Sequence, residues 1–476
     1  MTQAMVTFMG IDLGTTSVKI SIVQDGKQVA SVSRPTNAGA KSVIGSNGFE
    51  QDVAVILSET QQCLMELPPE MLSKVKKICI TGQMHGVLLW SSKQVKEFYI
   101  KEKKYFHIKN VSPLYTWQDQ RCKEEFLASL PKPISHLPLS TGHGNATIFW
   151  LSRHQPDFLT SFDRAGTVMD FLVCILCGME SPIMSNQLAA SWGYFDSKAG
   201  CWNKELMEQA SFPCYLLPQV VEPGEIVGTL QFDWLTIDKG TPILVALGDT
   251  QCAVYSVLNE PREAVLNMGT SCQLAFPEFL ETVPTFSEPT SPIQHFPYFN
   301  KQYLAVAASL NGGNVLSQFV KMIQKWIECF GFVRSEEEIW STLFQICSTP
   351  SPSEGSMNVI PTIFGERHAP LQFGEVYGIT SSNMDLHRVF EAVCKGLVSN
   401  LSKMISSAYL KEKGIKKLLG TGSVMHKNPI IHREVMTQYG DLDVVLSDQC
   451  DSALGAALFC EASDRLQDSK FNFSKH

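Results

Sequence analysis

The sequence has no excess of positive charge. Its 39 Lys and Arg residues are outnumbered by 47 Asp and Glu, a formal net charge of −8 at pH 7, and a mildly acidic chain without a basic stripe is a poor ligand for nucleic acid. Long apolar runs are missing too. The most apolar stretch runs only from Phe171 to Cys177, with Asp170 beside it, far short of the ~20 residues that cross a bilayer, so no membrane partner is expected. The opening MTQAMVTFMG has no basic region ahead of its apolar part, so no export signal is expected and the cytoplasm is the expected location. Fourteen cysteines lie scattered through apolar segments, the pattern of buried thiols in a reducing compartment. Cys174 and Cys177 form a lone C-x-x-C in an apolar, helix-like run, and with no second pair they read as core packing, not zinc ligands. Also absent are G-x-x-x-x-G-K-S/T and the protein-kinase catalytic-loop and Asp-Phe-Gly motifs, which argues against P-loop and protein-kinase folds.

What is present suits a well-packed enzyme. The 476 residues are 44% hydrophobic and 18% charged, enough for two or three domains of ~100 to 250 residues. The chain is organised around Gly10 to Lys19, GIDLGTTSVK. A strand-like approach ends in Asp12, then Gly14 and three hydroxyls, before a second strand-like run through Val18, Ile20 and Ile22. Such a hairpin can cradle phosphate: Gly14 is expected to take a positive φ and come close to a ligand, while Thr15, Thr16 and Ser17 add donors. Asp12 is placed to hold a phosphate-bound magnesium, directly or through water. An ordinary hairpin whose Asp caps the turn is the competing reading.

Further along, the strand Lys77–Thr81 leads into Gly82-Gln83-Met84-His85-Gly86, a polar triplet presented at the carboxyl edge of a sheet. Gln83 and His85 can donate and accept hydrogen bonds to a polyhydroxylated ligand; a tight turn with a solvated His is the alternative. Tyr115 to Arg121 (YTWQDQR) sets an aromatic beside carboxylate, amides and guanidinium, as sugar sites do, or else marks an exposed helix N-terminus with a packing Trp. Two polar stretches, Ser185-Asn186-Gln187 and Ser191-Trp192-Gly193, lie in a loop-like region, and turns around 223–225 and 239–242 mark the main boundary. Pro242–Leu247 reads as a strand ending at Gly248-Asp249. Val265 to Leu274 then repeats the first hairpin: strand, Gly269-Thr270-Ser271, strand. A phosphate-type hairpin therefore opens each half, an internal echo. Asn311-Gly312-Gly313-Asn314 opens a helix whose amides could face a nucleotide. Leu418 to Ser423 is another strand-to-glycine turn, and Gly455 in a small-residue helix permits close backbone approach.

The order GIDLGTTSVK, GQMHG, WQDQR, GD, NMGTS, a late G-T-G-S and a terminal ALGAA resembles the FGGY family of carbohydrate kinases over essentially the whole chain. The resemblance implies an α/β fold of two actin-like (ribonuclease H-like) domains, 1–246 and 247–476, each a mixed sheet flanked by helices, with the ligand cleft between them. It implies ATP and Mg2+ as cofactors, a small sugar as substrate, and a monomer or small homo-oligomer. Asp249 resembles the family's catalytic base and Asp12 its magnesium-linked carboxylate. Gly14, Thr15, Thr16, Gly269, Thr270, Gly313 and Gly422 would bind nucleotide; Gln83, Met84, His85 and Asp119 would line the sugar site. Within the family, WQDQRCKEEFLASLP, ATIFWL, AASWGYF, FPYFN, ASLNGGNVL and FGERH resemble members acting on a seven-carbon ketose; xylulokinase and other ketose kinases are the rivals. The adenine-side loop departs from the family's Gly-Gly-Gly-Ala type run, so Val424 to Asn428 does not align. A rival of another class is an actin-like ATPase driving partner binding, against which the sugar-type groups at Gln83–His85 and Trp117–Arg121 argue. Residue chemistry supports phosphoryl transfer in its own right, since two phosphate loops and two strand-end aspartates supply positioned phosphates, a metal ligand and a base.

Overall fold

Apolar alternation at the start of the chain builds an antiparallel meander: β1 (Thr7–Leu13), β2 (Ser17–Gln24) and β3 (Lys27–Pro35). The computed structural model describes residues 6–93, 97–101, 105–280, 291–348, 357–369, 371–448 and 450–473. Every residue of β1 is buried, whereas β3 is largely open along its length, which makes β1 central and β3 the edge. On the other side of β1 lies β4 (Val75–Gly82), parallel to it. β5 (Ile226–Thr229), β6 (Pro242–Leu244) and β7 (Leu247–Gly248) complete the sheet, with order β5-β6-β4-β1-β2-β3 and β7 also beside β4.

A second sheet repeats this plan. β8 (Glu263–Met268), β9 (Cys272–Glu278), β10 (Ile293–Pro297), β11 (Tyr303–Ser309), β12 (Lys417–Thr421) and β13 (Asp443–Leu446) lie in the order β10-β11-β9-β8-β12-β13. In both sheets the first strand pairs antiparallel with the second and parallel with a later strand. This is the two-sheet α/β architecture of the actin-like, ribonuclease H-like fold.

The helices follow from apolar stripes and caps. α1 (Val53–Glu66) starts where Asp52 accepts the Ala54 and Val55 amides. α2 (Gly144–His154) stops before Pro156, which begins a separate turn of helix. α3 (Val168–Cys177) is buried throughout and opened by a Thr167/Asp170 capping box; its Cys174 and Cys177, like all fourteen cysteines, are free thiols. α4 (Asn186–Trp192) occupies the stretch expected to be loop: polar Asn186 and Gln187 open it, but Leu188, Ala189 and Ala190 bury it. α5 (Asp249–Val257), α6 (Gly313–Cys329), α7 (Leu386–Met404), α8 (Ser423–Lys427) and α9 (Ser452–Phe473) serve the second half. Among the described residues no helix is long and apolar enough to cross a membrane.

α9 returns to the first sheet. A Cβ on Gly10 would fall 2.0 Å from the Ala453 carbonyl oxygen, and one on Gly455 would fall 1.8 Å from that of Cys252. The two glycines therefore let α9 lie directly against β1 on one side and α5 on the other. Phe8 and Cys79 of the first sheet, Val265, Val306 and Leu419 of the second, and Cys252, Ala456 and Phe459 of α5 and α9 form one apolar cluster joining the halves.

Candidate active site

Asp12, Gly82 and Asp249 meet at one edge. β1, β4 and β7 run parallel, with Asp12 in register with Thr81 and Thr81 with Leu247, so the strands deliver their carboxyl ends side by side. Asp12 is 9% exposed and its Oδ1 has no hydrogen-bond partner. Burial, then the charges of Asp249 and Asp451, push its carboxyl up to about 8, against a smaller pull from Lys19. A buried carboxylate with a vacant oxygen beside two other acids is a setting that a divalent cation stabilises, so the residues present fit the magnesium the family implies. Asp249 opens α5; the Thr250 amide donates to its Oδ1 at 2.7 Å and the Thr250 hydroxyl at 3.3 Å. Burial raises Asp249 to about 6. Asp451 caps α9 through the Leu454 amide and pairs with Lys19 at 3.4 Å.

The first hairpin turns tightly, the Gly14 amide donating to the Ser17 carbonyl at 3.1 Å. Gly14 does not take the expected positive φ; glycine is required because a Cβ would sit 2.8 Å from that same carbonyl. Thr16 is exposed at the turn. Thr15 faces the sugar-side residues instead: its hydroxyl donates to Gln83 Oε1 at 3.3 Å and accepts from Trp117 Nε1 at 3.0 Å. Gln83 Nε2 donates to Gln51 Oε1, whose Nε2 donates to the Thr15 carbonyl at 2.7 Å. The turn expected to face phosphate is thus wired to the groups expected to face sugar. Trp117 sits in a turn, not at a helix start, and the next helix begins at Glu124.

At His85 the backbone makes a γ-turn of the rare hand, Gly86 N–H donating to the Met84 carbonyl at 2.9 Å with φ +73° at His85. Strain of this kind in a non-glycine residue needs external support. Ser191 gives it: its hydroxyl accepts the His85 amide, and its carbonyl lies 2.9 Å from His85 Nδ1. Trp192 Nε1 donates to the Gly86 carbonyl at 3.1 Å. Met84 packs against Gly248, where a Cβ would lie 2.7 Å from its sulfur. Asp119 stands apart from these groups: fully buried, it accepts from the Phe49 amide and from the Arg121 amide, Nε and Nη2, at 2.7 to 3.0 Å. Arg121 also reaches Glu50 at 2.8 Å and lies over the Tyr115 ring. With four hydrogen bonds accepted, the Asp119 carboxylate fixes the loop that carries Trp117.

The second hairpin copies the first. Gly269 N–H donates to the Ser271 carbonyl at 3.0 Å, and α6 docks on the turn through Gly313 and Asn314 amides bonded to the Gly269 and Thr270 carbonyls. Gly422, at φ +93°, approaches so closely that a Cβ would fall 2.4 Å from the Met268 carbonyl. Gly269, Thr270, Gly313 and Gly422 are brought together with the N-terminus of α6 at the same edge, but the Gly313 and Asn314 amides expected to face a nucleotide are spent on the hairpin carbonyls, so α6 brings the positive end of its dipole there and not those N–H groups.

A cavity of about 710 Å³ opens beside His85, lined from the first half by His143 and Ser191 and from the second by Phe296, Glu366, Arg367 and His368. Asp451, His143, Arg367 and the Gln51 bridge were not singled out as site residues from the sequence. Phe-Gly-Glu-Arg-His and the helix-capping Asp451 before a Ser-Ala-Leu run were signals for two of them; His143 and Gln51 gave none.

A family model for the FGGY family of carbohydrate kinases, N-terminal domain, matches residues 7–256. Mouse sedoheptulokinase is 42% identical over 461 residues, covering 94% of this chain and 96% of that protein. Human sedoheptulokinase is 42% identical over 463 residues with the same coverage. Among solved structures, gluconate kinase from Lactobacillus acidophilus superposes with a TM-score of 0.77 at 19% identity, covering 97% of this chain and 90% of that one.

Proposed function

The chain belongs to the FGGY family of carbohydrate kinases, and from that premise we propose that it transfers the γ-phosphate of ATP to the terminal primary hydroxyl of sedoheptulose. The products would be ADP and sedoheptulose 7-phosphate, which would feed the pentose phosphate pathway from the cytoplasm. The observation that carries this reading is the near full-length similarity to two sedoheptulokinases, because residue chemistry does not choose among ketose lengths.

In this reading Asp249 is the general base. Thr250 occupies its Oδ1, which leaves Oδ2 to take the proton of the sugar hydroxyl as that oxygen attacks phosphorus. A base raised to about 6 remains ionised at neutral pH yet is basic enough to help. Asp12 would hold Mg2+, which when bound offsets phosphate charge. The hairpin turns at Gly14–Thr16 and Gly269–Thr270, with Gly313 and Gly422, would hold the nucleotide. Gln83, Met84 and His85 would line the sugar, with Asp119 acting through Arg121 to keep Trp117 in place. We also propose that 1–246 and 247–476 act as the two jaws of the cleft, in a monomer or small homo-oligomer.

A coupled ADP-release assay over a panel of ketoses tests the proposal. Sedoheptulose should give the highest kcat/KM, since a shorter sugar leaves buried partners unpaired at ~1 to 3 kcal/mol each. Xylulose as best substrate would move the chain to a pentulose kinase, and rapid ATP hydrolysis indifferent to sugar would make it an ATPase.

A further inference from the structure

The stacked imidazoles beside the cleft have fixed and opposite tautomers. His85 and His143 lie face to face, ring centroids 4.9 Å apart and planes 6° from parallel. His85 Nδ1 is 2.9 Å from the Ser191 carbonyl oxygen, an atom that can only accept, so Nδ1 carries the proton. In a neutral ring Nε2 is then a bare acceptor. His143 is the reverse: its Nδ1 accepts the Ser140 amide at 3.3 Å, so Nε2 carries the proton and donates. Both rings are kept neutral by burial, with Arg367 adding to the effect; His85 is lowered to about 4 and His143 well below its ordinary value.

Neither Nε2 has a partner among the described residues, and both rings line the 710 Å³ cavity, a volume within the ~300–1,000 Å³ of small-molecule sites. Arg367 reaches into the same cavity from the second half and makes no hydrogen bond or ion pair among the described residues. Arg367 is exposed to solvent, so its fork of donors is available to a ligand. One bare acceptor and one bare donor on adjoining rings, faced by an unpaired fork of donors, match the hydroxyls of a sugar, each of which can give one hydrogen bond and accept another.

We propose that His143 is a substrate-binding residue forming, with His85, a two-ring hydroxyl clamp in which one sugar hydroxyl donates to His85 Nε2 and another accepts from His143 Nε2–H, Arg367 closing the clamp from the opposite half. The sugar identity rests on the sedoheptulose reading above; the clamp adds that the ketose extends from Asp249 past Met84 into this cavity. His143 sits at the N-terminus of α2 just after Gly142, whose φ of +75° and lack of a Cβ let it press on the Trp117 carbonyl. The clamp is thereby tied to the loop that holds Thr15.

The test compares wild type with His143→Phe, which keeps a stacking ring without its nitrogens, and His143→Gln, which keeps an N–H donor. With saturating Mg·ATP, His143→Phe should raise the KM for sedoheptulose about five- to hundredfold, the effect of leaving a bound hydroxyl unpaired. Its kcat should change less than about threefold, its KM for ATP should hold, and His143→Gln should recover part of the loss. Nitrogen-15 spectra of histidine-labelled wild type, with and without sedoheptulose alone, should show Nδ1–H at His85, Nε2–H at His143 and a shift of both on adding sugar. An unchanged KM in His143→Phe, or either ring in the opposite tautomer, would overturn the clamp while leaving the kinase reading standing. A wild type that turns over no ketose would overturn that reading and the clamp with it.

Discussion

Replacing Asp12 by Asn should make the ligand-free protein more stable at pH 8 and at the same time disable it. The native carboxyl is raised from 3.8 to about 8 by burial and by Asp249 and Asp451, whereas in the unfolded chain it ionises at its ordinary value. As pH rises from about 4 to 8, the unfolded state releases this proton first, so native stability falls across that window at up to ~1.36 kcal/mol per pH unit. The shift of roughly four units sets a ceiling near ~5 kcal/mol; relaxation and water entry reduce such penalties, and about 2 kcal/mol is expected. Asn fills the same space without charge and can donate to a neighbouring carboxylate. Thermal melts followed by circular dichroism at pH 5, 6, 7 and 8 would read the difference between the two proteins, which isolates Asp12 from other titrating groups. The variant's advantage should grow with pH to ~2–4 °C at pH 8. Added Mg2+ with ADP should raise the wild-type melting temperature more at pH 8 than at pH 6 and should help the variant much less. A variant melting at or below wild type at pH 8, or a difference that does not change with pH, would refute the reasoning.

Asp249→Asn should lower kcat by at least ~10² to 10⁴-fold with ATP binding retained, since the amide keeps the shape but cannot take the proton; near wild-type turnover would exclude Asp249 as base. In the wild type, kcat/KM should fall about tenfold per pH unit below about 6, the value to which burial raises Asp249, and a profile flat to pH 4.5 would count against it. Gly455→Ala places a methyl 1.8 Å from the Cys252 carbonyl, so α9 must shift off α5; a loss of ~1–3 kcal/mol or more is expected, read by urea denaturation, and unchanged stability would mean the helices are not in close contact. Sugar together with a non-hydrolysable ATP analogue should reduce the radius of gyration in small-angle scattering more than either alone, because closure brings Arg367 and the second hairpin onto the first half; no change with both bound would argue against two moving jaws.

What could be read from the sequence was local. GIDLGTTSVK and its echo are legible because strand alternation and a glycine-hydroxyl turn are written within ten residues, and Gly455 stood out for its small neighbours. The reason for Gly14 was not legible, since it depends on where the Ser17 carbonyl points, not on φ. α4 was hidden because its polar opening, Asn186 and Gln187, resembles a loop until Leu188–Ala190 find a buried face. Asp451 acquires its place beside Asp12 only because α9 returns to the first sheet, and Arg367 meets His85 only across the two halves. Asp119 reads as a sugar ligand by type, but Arg121 two residues on takes up its lone pairs. Residue type suggests a chemistry; the tertiary partner decides whether the group is free for it.

The two hairpins show how one design came to serve two ends. Aligned on their glycines, Leu13 matches Met268, Gly14 matches Gly269 and Thr15 matches Thr270, while in the parallel neighbour strands Gly82 ends β4 and Gly422 directly follows β12. A Cβ on Gly82 would fall 2.6 Å from the Leu13 carbonyl, and one on Gly422 2.4 Å from that of Met268, so each turn is braced by the same glycine contact. The differences lie in what satisfies the turn carbonyls. In the second half it is backbone, the opening amides of α6, so those amides are spent on the hairpin and α6 adds only the positive end of its dipole at the turn. In the first half it is the side chains of Thr36 and Gln51 and the Thr36 amide, and Gln51 passes the connection to Gln83. The acid follows the same division: Asp12 in the first strand is Asn267 in the second. An ionisable carboxylate therefore stands at this position in the half whose turn is coupled to polar side chains, and the half braced by a helix end has a neutral amide there.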